Sequence, residues 1–228
     1  MPSFEFVKEF SASESFRNAA IVGKYDLGGF DTKETFKGEI ELPTTWNVGL
    51  IVGNSGTGKT SIGKEIFPAN YISHFDWDIN KSILDEMPGD VSVEEISKTL
   101  NAVGFSAPTQ WIKPYYLLSG GQKMRVDLAR AILSKNEMIV FDEFTSVVDR
   151  NVAKVGSLAI QKSIRKQNKK FIALSCHFDI EEWLQPDWVF DTNKMEFRTS
   201  KKKDQKSLSK SLKQPTNQFG KCLLNIII

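Results

Sequence analysis

Val48-Gly49-Leu50-Ile51-Val52-Gly53-Asn54-Ser55-Gly56-Thr57-Gly58-Lys59-Thr60 decides the reading of this chain. Five apolar residues run into a complete G-x-x-x-x-G-K-[ST] pattern, and Ser61-Ile62-Gly63-Lys64-Glu65-Ile66 follows with helical character. A buried strand, a loop and a helix N-terminus in that order form the context in which the pattern has a mechanism. Glycines at 53, 56 and 58 let successive backbone N–H groups turn inward, and the helix adds the positive end of its dipole. Polyphosphate is the ligand such a loop fits: Asn54, Ser55, Thr57 and Ser61 complete its lining, Lys59 can reach the β- and γ-phosphates, and the Thr60 hydroxyl is placed for Mg²⁺. The expected ligand is a nucleoside triphosphate.

Outward from this loop, 228 residues with 40% hydrophobic content suffice for a packed core. Neither Cys176 nor Cys222 sits in a C-x-x-C or Cys/His metal spacing. With no disulfide framework and no signal-peptide pattern at Met1-Pro2-Ser3-Phe4-Glu5-Phe6, the expected setting is cytoplasmic. No apolar run approaches the ~20 residues of a membrane-spanning helix. The net charge of +2 hides an asymmetry: from Arg198 onward eight basic residues face one acid, whereas residues 1–197 hold 22 basic against 27 acidic. The expectation is a folded body over 1–197 and a basic tail over 198–228. Such a tail is read as disordered, with nucleic acid or anionic lipid as the alternative.

Ahead of the loop, Thr35 to Leu42 alternates as a half-buried strand stopped by Pro43, one part of a small antiparallel β-layer. Tyr25 and Phe30 are candidates for stacking on a nucleotide base, and either also reads as a core aromatic. Beyond it, residues 67–134 read as an inserted helical subdomain. Pro68, Pro88, Pro108 and Pro114 break it up; Val93, Ile96, Leu100 and Val103 set a helical period, with Ser92 as N-cap. Asp76 and Asp78 are acids that could touch a metal-bound water or lie in turns. Leu118-Ser119-Gly120-Gly121-Gln122 precedes a helical pattern to Ser134, and the apolar strand Met138-Ile139-Val140-Phe141 ends in Asp142-Glu143. A strand with two acids at its carboxyl end is where an α/β sheet places ligand groups. A helix from Val152 to about Gln167, a strand from Lys170 to Ser175 ending at Cys176-His177, and a last strand Trp188–Asp191 follow.

The phosphate loop at 53–60, the 118–122 string, the strand with Asp142-Glu143, the loop acid Asp149 and His177 resemble, in that order, the ABC-type ATPases. The resemblance covers roughly residues 35–192. Asp142 to Arg150, Ser175-Cys176-His177 and Trp183 to Asp191 look most like a soluble branch described as ABC-type ATPases fused to a predicted acetyltransferase domain, and no acetyltransferase-sized segment is present here. The resemblance implies a P-loop α/β fold: a mainly parallel sheet with helices on both faces, an N-terminal antiparallel layer and a short helical subdomain.

The same resemblance implies Mg²⁺-dependent ATP hydrolysis, with Thr60 and Asp142 at the metal and Glu143 as general base. Lys59 and His177 would act at the γ-phosphate, and Asp149 would line the nucleotide site. It also implies that Ser119, Gly120, Gly121 and Gln122 close over ATP bound to a second copy, giving a homodimer around two ATP molecules. Transporter-type members carry a glutamine in the interval between loop and signature; here only Gln110 occurs between Lys59 and Ser119, and it lies close to the signature. That interval is 60 residues, short for a transporter subunit. The expected partner is a soluble protein or nucleic acid, an acetyltransferase-type protein among the possibilities, with a membrane transporter subunit as the alternative.

Overall fold

A computed structural model describes residues 2–11, 13, 15–28 and 31–199. In chain order its elements are β1 (Ser3–Ser11), α1 (Phe16–Tyr25), β2 (Asp31–Glu39), β3 (Val48–Val52), α2 (Lys59–Ile66), β4 (Tyr71–Ile72), α3 (Val93–Ala102), α4 (Pro108–Trp111), α5 (Gly120–Leu133), β5 (Met138–Phe141), α6 (Arg150–Lys166), β6 (Lys170–Ser175), α7 (Ile180–Leu184), β7 (Trp188–Asp191) and β8 (Glu196–Thr199). β1 and β2 form an antiparallel pair; the other six strands form one sheet in the order β4-β5-β6-β3-β7-β8. All neighbours in that sheet are parallel except β7 and β8.

β3 is buried at all five positions, and its partners explain why its sequence shows no polar alternation. Alternate strand residues feed two cores. Val48, Leu50 and Val52 of β3, Phe171 and Ala173 of β6, and Ile139 and Phe141 of β5 pack with Leu100, Leu128, Ile132, Ile160 and Ile180 of the helices that follow the phosphate loop. Ile51, Ile172, Leu174, Val140 and Phe190 point the other way, against Ile62 of α2 and the aromatics Phe4 and Phe36 of the β1–β2 layer. The fold is an α/β P-loop architecture with apolar layers on both sheet faces. Gly49 has a packing reason: a Cβ there would lie 2.1 Å from the Trp188 ring.

The helices start where their caps allow. Ser92 Oγ accepts from the Glu95 N–H, and Ile96 and Leu100 are buried as the period requires, but Val93 is 69% exposed because it precedes the packed face. α6 begins two residues before the expected Val152, since Asp149 accepts from both the Asn151 and Val152 N–H groups. β2 ends at Glu39 rather than Leu42, because its pairing partner begins at Ser3 opposite Glu39. Past Asp191 the chain turns back as β8 to Thr199, and Arg198 is paired with Glu181 at 2.5 Å; both Arg198 and Thr199 therefore pack on the body, beyond the expected boundary at 197. Residues 200–228 and Phe30 lie outside the described residues.

Candidate functional site

β3 delivers Gly53 to the carboxyl edge of the sheet between β6 and β7, and the neighbouring strands fix the loop from both sides. Gly53 N–H donates to Ser175 O, and the Thr192 N–H donates to Val52 O at 2.8 Å. Thr57 and Thr192 share a hydroxyl hydrogen bond of 2.5 Å, and Asn54 N–H donates to Asn193 Oδ1 at 3.0 Å. Gly58 carries φ +87°, and a Cβ there would lie 2.9 Å from the Phe36 ring. Both constraints select glycine. Lys59 Nζ folds into the loop and donates to Gly53 O and Asn54 O, at 2.8 and 2.6 Å. Burial lowers its pKa below the ordinary lysine value, while Cys176, Glu143 and Asp142 favour the charged form. An open groove of about 580 Å³ runs beside the loop between Glu34, Phe36, Thr192 and Asn193.

Asp142, one residue past β5, is 6% exposed. Its Oδ2 accepts from Thr60 Oγ1 at 2.9 Å and from the Tyr71 hydroxyl, and its Oδ1 accepts from the Glu143 N–H at 2.9 Å. Burial first, then Asp142, raises Tyr71 far above the usual phenol value, so the hydroxyl stays a donor. Glu143 is exposed and holds φ +52°, and Thr145, buried, holds φ +68°. Non-glycine residues in this region are uncommon and concentrate at functional turns. Thr145 Oγ1 lies 3.5 Å from His177 Nδ1, and the His177 N–H donates to Ser175 Oγ. The carboxyl ends of β3, β5 and β6 thus carry Lys59, Asp142-Glu143 and His177 on one edge.

Ser119 caps α5, accepting from the Gln122 N–H while Gln122 Oε1 accepts from the Ser119 N–H. A Cβ added at Gly120 would lie 3.5 Å from Val147 O, an ordinary contact. Among the described residues no hydrogen bond joins the 119–122 turn to the phosphate loop within one chain. Asp149, expected near nucleotide, caps α6. Asp76 is an exposed surface acid, and Asp78 Oδ1 accepts from the Asn80 N–H as a turn acid does. Tyr25, the last residue of α1, is 61% exposed with Lys24 over its ring; the aromatic against the loop is Phe36.

The donor set fits Mg²⁺. Thr60 Oγ1 and Asp142 Oδ2 are hard oxygens side by side, and among the described residues there is no cluster of three or more His, Cys, Asp or Glu. Magnesium held by one carboxylate, a hydroxyl, substrate phosphate and water needs no larger cage. Phe36, Tyr71, Thr192 and Asn193 were not singled out from sequence. Their nearness follows from long-range pairings, and only the strand pattern at Thr35–Leu42 pointed toward one of them.

A protein-family model described as ABC transporter matches residues 68–146, the interval from the end of α2 through the signature to Asp142-Glu143. The energy-coupling factor transporter ATP-binding protein EcfA1 of Listeria monocytogenes serovar 1/2a is 26% identical over 65% of this chain and 66% of its own length. The mRNA export factor elf1 of Schizosaccharomyces pombe is 33% identical over 50% of this chain and 13% of its own. The chain therefore spans less than two thirds of either relative. Among solved structures, the dimeric bacterial ABC transporter cassette MJ0796 superposes with a TM-score of 0.53 at 14% identity, covering 82% of this chain and 94% of that one. The chain has the fold of such cassettes. No helix among the described residues is long and apolar enough to cross a membrane.

Proposed function

We propose that this cassette hydrolyses ATP and that two copies close around two ATP molecules to drive a conformational change in a soluble macromolecular partner. The observation that carries the catalytic reading is the 2.9 Å bond from Thr60 to Asp142, which joins motifs 82 residues apart and sets exposed Glu143 beside them. Loop N–H groups and Lys59 would hold the phosphates. Mg²⁺, held by Thr60 and Asp142, would neutralise charge on the β- and γ-oxygens. Glu143 would take a proton from the attacking water as its oxygen bonds to the γ-phosphorus, the bond to the β–γ bridging oxygen breaks, and ADP and phosphate leave. His177, oriented by Thr145, would donate to the γ-phosphate. Ser119, Gly120, Gly121 and Gln122, preorganised by their own cap but unconnected to the loop of the same chain, would bind the ATP of the second copy.

Support for a soluble partner comes from the short interval between loop and signature, the absent glutamine, and the likeness to an mRNA export factor. Support for a transporter subunit comes from the likeness to an energy-coupling factor transporter ATP-binding protein. The test is Glu143→Gln, which keeps shape and removes the base. Turnover should fall on the order of 10²-fold with ATP binding retained, and light scattering should show a dimer held by ATP. Lys59→Ala should lose binding and dimer together. Parent-rate hydrolysis by Glu143→Gln would refute the assignment of the base. Proteins captured on the ATP-held dimer then separate the partners: a soluble protein, of acetyltransferase type or otherwise, or a nucleic acid supports the first reading, and a stoichiometric polytopic membrane protein the second.

A further inference from the structure

Resting on the metal site proposed above, we infer that Tyr71 is a positioning residue for the metal, holding the Asp142 carboxylate in its binding orientation through a hydrogen bond from the side of β4. Nothing about a two-residue edge strand demands a tyrosine. Tyr71 pairs with Val140, and Asp142, just past the end of β5, lies two residues further on along the same chain direction. The tyrosine ring therefore runs forward in that direction, and its length carries the hydroxyl to Asp142 Oδ2. The ring itself is seated by Lys64 at 5.2 Å and by the close backbone of Gly63. β4 is tied to β5 by two backbone bonds, Val140 N–H to Asn70 O and Asp142 N–H to Ile72 O, both 2.9 Å. The tyrosine thus stands on the same rigid ladder as the carboxylate it touches.

The consequence is a division of labour at one carboxylate. Glu143 N–H holds Oδ1, while Thr60 and Tyr71 approach Oδ2 from α2 and from β4. Thr60 is itself placed to ligate the metal, so the bond it gives Asp142 is exchanged when the metal binds; the bond from Tyr71 has no such competitor. Donors of this kind orient a ligating carboxylate, and their loss typically costs 10–100-fold in metal affinity. Phenylalanine fills the same volume and removes only the hydroxyl.

The experiment measures Mn²⁺ and Mg²⁺ affinity of the full chain with a non-hydrolysable ATP analogue bound, by electron paramagnetic resonance and calorimetry, in the parent, Tyr71→Phe and Thr60→Ala. Tyr71→Phe should weaken metal binding about 10–100-fold, leave metal-free nucleotide affinity unchanged, and give a higher half-saturating metal concentration for turnover. Metal affinity equal to or tighter than the parent's overturns the inference. A parent that binds no metal with nucleotide, or a Thr60→Ala protein that binds it normally, refutes the metal site itself. A second measurement is independent of how the variant folds: 3-fluorotyrosine placed at 71 should shift its fluorine resonance when metal is added to the nucleotide complex, and an unmoved resonance overturns the inference.

Discussion

A single methyl group at position 58 tests how far the phosphate loop depends on its neighbours. Gly58 has φ +87° and a ring edge of Phe36 2.9 Å from where a Cβ would stand. Gly58→Ala must bear both the left-handed backbone and the contact, costing on the order of 1–3 kcal/mol. The expected outcome is a lower melting temperature and nucleotide affinity reduced at least tenfold, read by titration with a fluorescent analogue. Binding at parent strength would mean that the loop relaxes freely, contrary to its anchoring by Thr192 and Asn193. The glycines, Lys59 and Thr60 were legible in the sequence because their spacing is local and only one backbone path satisfies it. Phe36 was not, since its role arises from packing of the β1–β2 layer onto α2, and strand alternation says which face is apolar without saying what it meets.

Among the elements, α5 is fastened to the 74–78 segment by a half-buried polar and aromatic cluster. Trp77 stacks on Tyr115 with centroids 4.7 Å apart, Arg130 lies 4.4 Å over Trp77, and Asp127 accepts from Trp77 Nε1 at 2.9 Å and Tyr115 Oη at 2.6 Å. Burial pushes Asp127 up to about 6, against the opposing pull of those two donors, Arg130 and Lys123. A carboxyl raised in the folded state binds its proton more tightly there than when unfolded. Its contribution to stability is therefore full below the unfolded value of 3.8 and is lost as pH rises through about 6. Urea unfolding of the parent and of Asp127→Asn should diverge between pH 4 and 7 by on the order of 2 kcal/mol, the parent losing more; parallel curves would contradict the cluster's burial. Asp187 runs oppositely. Burial raises it, but the N–H groups of Asn47 and Val48 and the guanidinium of Arg165 outweigh burial and hold it below the usual carboxylate range. Its stabilisation is present above the unfolded pKa and is lost as pH falls through the folded one, so Asp187→Asn should flatten the acid limb of the same stability profile. Neither cluster was readable beforehand, because each joins residues that share no periodicity, although α5 itself was legible from its cap and apolar period.

At the scale of the whole molecule, the phosphate loop and the signature turn are both built and, among the described residues, share no hydrogen bond, so a complete site under the proposed function needs two chains. Lys59→Ala and Ser119→Arg should each be inactive alone. Mixed in equal amounts, one chain of each is the pairing that sets an intact loop against an intact signature, and such a dimer holds one complete site of two. Partial recovery, at most about half of parent turnover in a two-fold dimer, is then expected, measured as phosphate release against total protein; no recovery would argue for a site complete within one chain. The order of strands was the least legible feature, because motifs give the ends of β3, β5 and β6 but not which strand lies beside which. That order also sets a timetable for biosynthesis. β3 emerges early, yet Val48 is held by Asp187, 139 residues later, and Gly49 sits beneath Trp188. At ~5–20 residues per second on the ribosome, roughly 7–28 s separate the two. Until β6 and then β7 are made, the nascent chain presents Val-Gly-Leu-Ile-Val as an apolar ribbon without its sheet neighbours, so the segment that becomes the seat of the phosphate loop also calls for a chaperone's cover while it is made.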